Sequence, residues 1–191
     1  MNQDLIKIIK NNGTAVIATD TIYGVVASAL STIAVARLYE IKGRDEGKPF
    51  IILISNIDTL KEFGVFISDT DKEKLNTIWP NAVTVILPVD STYQEQFAYL
   101  HRGTNELAFR LPAKESLHVV LEQTGPLVAP SANPQGLPTA NTIIQAQNYF
   151  GDTVDHYEDG GVVQGNASTI ITLKDGKITI LRQGTVAIDT F

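Results

Sequence analysis

The sequence predicts an α/β fold, a single-domain twisted sheet of mixed strand direction (parallel and antiparallel) with helices packed on it. Three observations carry that expectation. Short β-branched apolar runs such as TAVIAT, AVTVILPV and STIITL recur along the chain, each the length of an interior strand. Segments with apolar residues at helical spacing lie between the earlier runs. Finally, Ser168 to Arg182 reads as a hairpin turned by Lys174-Asp175-Gly176.

Taken in order, residues 3–11 form an amphipathic helix that Asn12-Gly13 stops before the strand TAVIAT. Thr21 to Ser28 is a turn or strand edge. From Thr32 to Ile41 the apolar residues fall near one helical face, with Ser31 or Thr32 placed as cap, and this helix delivers Lys42-Gly43-Arg44 at its C-terminal end. PFIILIS (49–55) is an interior strand, 57–63 a helix, and 69–78 a further helix ending at Trp79-Pro80, because proline disfavours helix in its predecessor. AVTVILPV, ELAFRLP, PLVAPSA, STIITL and KITILRQ supply five more strands, with helices over 114–124 and near 142–149. No internal repeat is visible.

Composition narrows the function. A chain of 191 residues with 43% hydrophobic content fits one domain, 1–191. No run reaches the ~18–20 apolar residues of a membrane span, and the N-terminus lacks a signal-peptide core, so a cytoplasmic protein with no membrane partner is expected. Cysteine is absent, which excludes disulfides, a thiolate nucleophile and cysteine-ligated metal; three scattered His residues make a poor cage, so no protein-held metal is expected. A net charge of −6 argues against a sequence-independent nucleic-acid coat.

Five polar clusters interrupt the apolar pattern. Thr19-Asp20-Thr21-Ile22-Tyr23-Gly24 follows a strand, where α/β sheets expose ligand sites; the alternative is a strand-to-turn junction bonded to its own backbone. Lys42, Arg44 and Lys48, spaced by glycines, suit an anionic substrate such as triphosphate, although Asp45 and Glu46 also fit a solvated loop of mixed charge. Arg110 alternates with Phe109 and Leu111, so either a wet face or a polar cavity receives it; in a cavity, a guanidinium clamps a carboxylate. Pro130-Ser131-Ala132-Asn133-Pro134 makes a rigid turn suited to adenosine or phosphate, or else a helix cap. Asp159-Gly160-Gly161, Gly165, Ser168, Thr169 and Arg182 close the set, and singly they are turn residues and one surface arginine.

In sequence order these clusters resemble the YrdC-type threonylcarbamoyl-adenylate synthase family over essentially the whole chain. The family's PT(D/E)TVYGL appears as ATDTIYGV, its K-x-R loop as KGRDEGKPF, and its WPGPxT as WPNAVT. Its (V/F)RxP appears as FRLP, SAN as Ser131-Ala132-Asn133, DGG…STI as DGGVVQGNASTI, and LRxG as LRQG. The resemblance implies a mixed α/β sheet around a large concave cavity shared by ATP and threonine. It places ATP contacts on Lys42, Arg44, Lys48, Ser131, Asn133, Thr139 and Arg182, with Lys42, Arg44 and Lys48 catalytic. Threonine contacts fall on Thr19 or Thr21, Arg110 and Ser168. Ala18 replaces the usual proline, Asn81-Ala82 replaces Gly-Pro, and Leu53 stands where many longer members carry a histidine near threonine.

The implied reaction joins L-threonine, bicarbonate and ATP into threonylcarbamoyl-AMP and pyrophosphate for the threonylcarbamoyladenosine modification of tRNA. A site with cations and hydroxyls but neither Cys nor a Ser-His pair suits positioning and charge neutralisation. Mg²⁺ is expected to arrive on the nucleotide phosphates, and a threonylcarbamoyl transferase to consume the product. The rival expectation is a non-catalytic module with weak tRNA or double-stranded RNA binding. A carbamoyl-phosphate-dependent carbamoyl transferase ranks third.

Overall fold

The computed structural model describes residues 3–45 and 47–188; Glu46, the second acid of the cationic loop, lies outside them. Helix α1 (Gln3–Lys10) leads into strand β1 (Thr14–Ala18), which turns back through residues 19–22 into β2 (Tyr23–Ser28). Helix α2 (Thr32–Lys42) begins at the predicted cap, since the Ser31 side chain accepts from the Ala34 N–H at 3.2 Å, and it stops at Gly43 in the left-handed conformation. Strand β3 (Ile51–Leu53), a 3₁₀ helix (Ile57–Phe63), α3 (Asp69–Ile78) and β4 (Val83–Pro88) follow. Then come α4 (Ala98–His101), β5 (Glu106–Arg110), α5 (Glu115–Thr124), β6 (Leu127–Val128) and α6 (Ile143–Phe150). A short 3₁₀ turn (Gly151–Thr153), β7 (His156–Tyr157), β8 (Thr169–Lys174) and β9 (Lys177–Arg182) complete the described chain.

All nine strands join one sheet in the order β7-β1-β2-β6-β3-β5-β4-β8-β9. The directions are mixed, as predicted: β1 with β7, β3 with β5 and β4 with β8 pair parallel, and the others antiparallel. The β8–β9 hairpin turns at Asp175 and Gly176, both at positive φ (51° and 75°), as a two-residue turn of matching twist requires.

The helices cover the two faces of the sheet unequally. One face carries Val25, Ile52, Phe109, Val85 and Ile171 and is packed by α2, α3, α4 and α6. On the other, α1 and α5 bury Ala15, Ile17, Val26, Leu53 and Leu127. Those two helices reach no farther than β3, which leaves the same face of β5, β4, β8 and β9 as a hollow. Leu53 belongs to the α1/α5 core and is fully buried.

Some elements differ from expectation for identifiable reasons. The segment over 21–28 contains a full strand because YGVVAS is buried on both faces and so shows no alternation. PLVAPSA contributes only two ladder residues, since Pro126 and Pro130 lack the N–H a ladder needs. The pairing resumes as an isolated bridge between Gly24 and Ser131. Residues 57–63 are 3₁₀ rather than α. Helix α4 and strand β7, four and two residues long, are too short to show a period.

Candidate functional site

The hollow is a cavity of about 340 Å³, within the ~300–1,000 Å³ range of small-molecule sites. Its floor is apolar: Ile51, Ile86, Ala108, Ala129 and Ile170 present side chains from five neighbouring stretches. Polar groups stand around that floor in three clusters.

The first is built on the β1–β2 turn. The Thr19 hydroxyl donates to the Ile22 carbonyl at 2.6 Å and accepts from the Thr21 and Ile22 N–H groups at 3.2 and 3.3 Å, closing a tight loop. That loop aims Thr21 and Asp20 at Arg110: Arg110 Nη1 donates to Thr21 Oγ1 at 3.2 Å, and Arg110 Nη2 lies 3.0 Å from Asp20 Oδ1. Arg110 is thus received by a cavity rather than a wet face. Both side chains of the pair are almost fully buried, and Asp20 Oδ1, Asp20 Oδ2 and Arg110 Nε lack aligned hydrogen-bond partners. Burial pulls the Arg110 pKa below its ordinary value; Asp20 opposes this and the nearby Arg182 charge adds to it.

The second cluster comes from the β8–β9 hairpin. Ser168, buried just before β8, shares a 2.8 Å hydrogen bond with Thr84 Oγ1 of β4, and its carbonyl accepts from Arg182 Nη2 at 2.8 Å. Gly184 folds back here, where a Cβ would meet the Ala167 carbonyl at 2.2 Å.

The third cluster joins the end of α2 to the turn after β6. Arg44 Nε donates to the Lys48 carbonyl at 3.1 Å and its guanidinium lies over Phe50, 5.3 Å from the ring centroid. Burial lowers its pKa, with Tyr39 and Asp45 opposing. Ser131 faces the same cavity.

Of the residues singled out by sequence, Thr19, Thr21, Arg44, Arg110, Ser131, Ser168 and Arg182 line this one cavity. Lys42, Lys48, Asn133 and Thr139 do not. Lys42 is buried against the Ser131–Asn133 turn, and Asn133 Nδ2 donates to the Leu137 carbonyl at 2.6 Å. The Lys48 side chain is 60% exposed and lies 3.8 Å from Asp45, and Thr139 is half-buried beyond the turn. Sequence reasoning did not select Asp20 as a partner of Arg110, nor Thr84 or Glu106. Glu106 shares a strand face with Ala108 and Arg110 and is the one carboxylate among the described lining residues. Alternation along ELAFRLP was the signal that could have found it.

A second hollow, about 490 Å³, lies between α1, α5 and the end of β1, but the one cation among its described lining residues, Lys114, is committed to the Ala18 carbonyl at 2.8 Å. Among the described residues no group of three or more His, Cys, Asp or Glu could hold a metal, and no helix is long and apolar enough to cross a membrane.

The Sua5/YciO/YrdC family model, described as "Telomere recombination", matches residues 7–184. The chain belongs to this family. Among named relatives of this Sua5/YciO/YrdC domain is the putative threonylcarbamoyl-AMP synthase of Mycobacterium tuberculosis, 31% identical over 180 residues, which span 94% of this chain and 82% of that protein. The threonylcarbamoyl-AMP synthase of Bacillus subtilis is 29% identical over 181 residues, covering 93% of this chain but 51% of its own length. In structure the domain is similar to Pyrococcus abyssi Sua5 complexed with L-threonine, with a TM-score of 0.85 at 29% identity, over 95% of this chain and 53% of that one. E. coli YciO shares the fold, with a TM-score of 0.81 at 20% identity over 95% of this chain and 87% of that one.

Proposed function

We propose that the chain is a threonylcarbamoyl-AMP synthase, making its product from L-threonine, bicarbonate and ATP in the cytoplasm for a threonylcarbamoyl transferase that modifies tRNA. The observation that carries this reading is the convergence of Arg44, Arg110 and Arg182 with Ser131, Ser168 and Thr21 around one apolar floor. The threonine carboxylate and the triphosphate must meet in such a site, and cations on opposite stretches of chain supply two anchoring points. The names of relatives near 30% identity point the same way.

In this reading Arg110 binds the threonine carboxylate, with Thr21 and Ser168 orienting the amino acid and Thr19 shaping the turn. The neutral amine of threonine adds to bicarbonate with loss of water, giving a carbamate. A carbamate oxygen attacks the α-phosphorus of ATP, the bond to the β-phosphate oxygen breaks, and pyrophosphate leaves. Arg44, Ser131 and Arg182 hold the phosphates, and the exposed Lys48 reaches them. These fixed donors stabilise the charge that develops on phosphate oxygens without rearranging. With a single carboxylate among the described lining residues, the donor set fits a Mg²⁺ that enters on the triphosphate as part of the substrate and screens its charge.

Pyrophosphate release from ATP, measured with threonine and bicarbonate each present or omitted, tests the proposal. Release that needs both, with threonylcarbamoyl-AMP identified by mass, is expected. Release indifferent to threonine, or none at all beside a salt-dependent RNA affinity, overturns it.

A further inference from the structure

Lysine is almost never fully buried unless paired, yet Lys42 is 3% exposed. Among the described residues its side-chain nitrogen is paired with no carboxylate. It donates instead to the Ser131 carbonyl, to the Asn133 carbonyl at 2.6 Å and to Asn133 Oδ1 at 3.5 Å. A lysine ammonium has three donors and no acceptor, so three protein oxygens use its whole capacity.

The acceptors belong to the turn that presents Ser131 to the cavity. One side of that turn is tied to β2, through Ala132 N–H to the Tyr23 carbonyl at 2.8 Å and Val25 N–H to the Pro130 carbonyl at 2.9 Å. On its other side two main-chain carbonyls and an amide oxygen converge on a single point. Without a donor there, their dipoles would face one another unpaired in a buried setting, which is costly. The Lys42 carbonyl returns a bond by accepting from Gln135 N–H at 3.0 Å, so the end of α2 and the turn are laced in both directions.

We propose that Lys42 is a positioning residue: an internal hydrogen-bond donor that locks the 131–133 turn and acts on ATP through Ser131, rather than a ligand of the phosphates. This deepens the synthase reading and rests on it for the role of ATP, but the lock itself can be judged without nucleotide. In ligand-free protein, Lys42→Met should speed amide exchange at Ala132 and Gln135 at least tenfold; unchanged exchange overturns the lock, whatever reaction the protein catalyses.

The kinetic arm compares Lys42→Met, Ser131→Ala and the double variant. A lock that works through Ser131 predicts that the double variant has a KM for ATP within twofold of Lys42→Met alone. Independent phosphate contacts would multiply their effects, and that result overturns the proposal. If Lys42→Met does not fold, wild-type protein decides: Lys42 should resist amine acylation equally, within twofold, with and without saturating ATP. Tenfold protection that appears only with ATP marks a phosphate ligand and refutes the lock.

Discussion

Replacing Arg110 by Met should destabilise the protein far more than a surface substitution, because it strands the Asp20 carboxylate. The two side chains are 5% and 7% exposed and approach to 3.0 Å. With about 4 Å between charge centres and an effective dielectric near 20, their attraction is about 4 kcal/mol. Desolvation of both ions offsets much of that in the intact pair. Removing one partner leaves the other's desolvation uncompensated, at a cost of about 3–5 kcal/mol. Since 1 kcal/mol moves the midpoint of a protein this size by ~2–4 °C, Arg110→Met should melt about 6–20 °C early. The double variant Asp20→Leu/Arg110→Met removes both charges and should return to within about 1 kcal/mol of wild type, or exceed it. Thermal and urea denaturation of wild type, the two single variants Asp20→Leu and Arg110→Met, and the double variant, with threonine kinetics on those that fold, measure this. An Arg110→Met protein with the wild-type midpoint, or a double variant as unstable as the sum of its parts, refutes an energetically coupled Asp20–Arg110 pair.

Three further outcomes are expected. Burial, with the Arg44 charge beside it, pulls the Lys42 pKa from 10.5 to about 7; its contribution to stability is therefore full above the unfolded value and lost as pH falls through about 7. Wild type should gain stability relative to Lys42→Met between those limits by at most ~1.4 kcal/mol per pH unit. Its KM for ATP should meanwhile rise, because a neutral amine has two donors for three acceptors; a flat difference curve in urea titrations would contradict the sign. Gly165→Ala places a Cβ 2.0 Å from the Thr21 carbonyl, so it should cost about 1–3 kcal/mol by overpacking and raise the KM for threonine, as calorimetry and kinetics would show. Ser168→Ala leaves the buried Thr84 hydroxyl without its 2.8 Å partner and should cost about 1–3 kcal/mol while weakening threonine far more than ATP; equal losses for both substrates would exclude Ser168 from the amino-acid subsite.

The strands and long helices were legible because their signals are local. Ser31 capping α2 and Asp175-Gly176 turning the last hairpin each act within four residues of the bond they make. Arg110 was legible in part: alternation on β5 says that it leaves the Phe109 face, while the identity of its neighbour depends on a turn ninety residues earlier in the chain. Asp20 was hidden for that reason. Lys42 shows the limit of motif reading most clearly, since a lysine beside an arginine and two glycines has the composition of a phosphate loop, yet its ammonium faces inward onto carbonyls. Which way a long flexible side chain points is decided by the packing of α2 against the 131–133 turn, and no periodicity in the sequence encodes it.

The uneven coverage of the sheet bears on how the molecule comes into being. Helices α1 and α5 can settle on β1, β2, β3 and β6 once the first two-thirds of the chain has emerged, but the far wall of the hollow waits for β8 and β9. Both parallel pairings that join distant parts, β1 with β7 and β4 with β8, close late and slowly. A ribosome paused before Ser168 therefore holds a chain with much of its interior formed but without Arg182 and the β8–β9 wall of the hollow. Any stabilisation by a ligand that needs this wall reaches only copies in which β8 and β9 have closed.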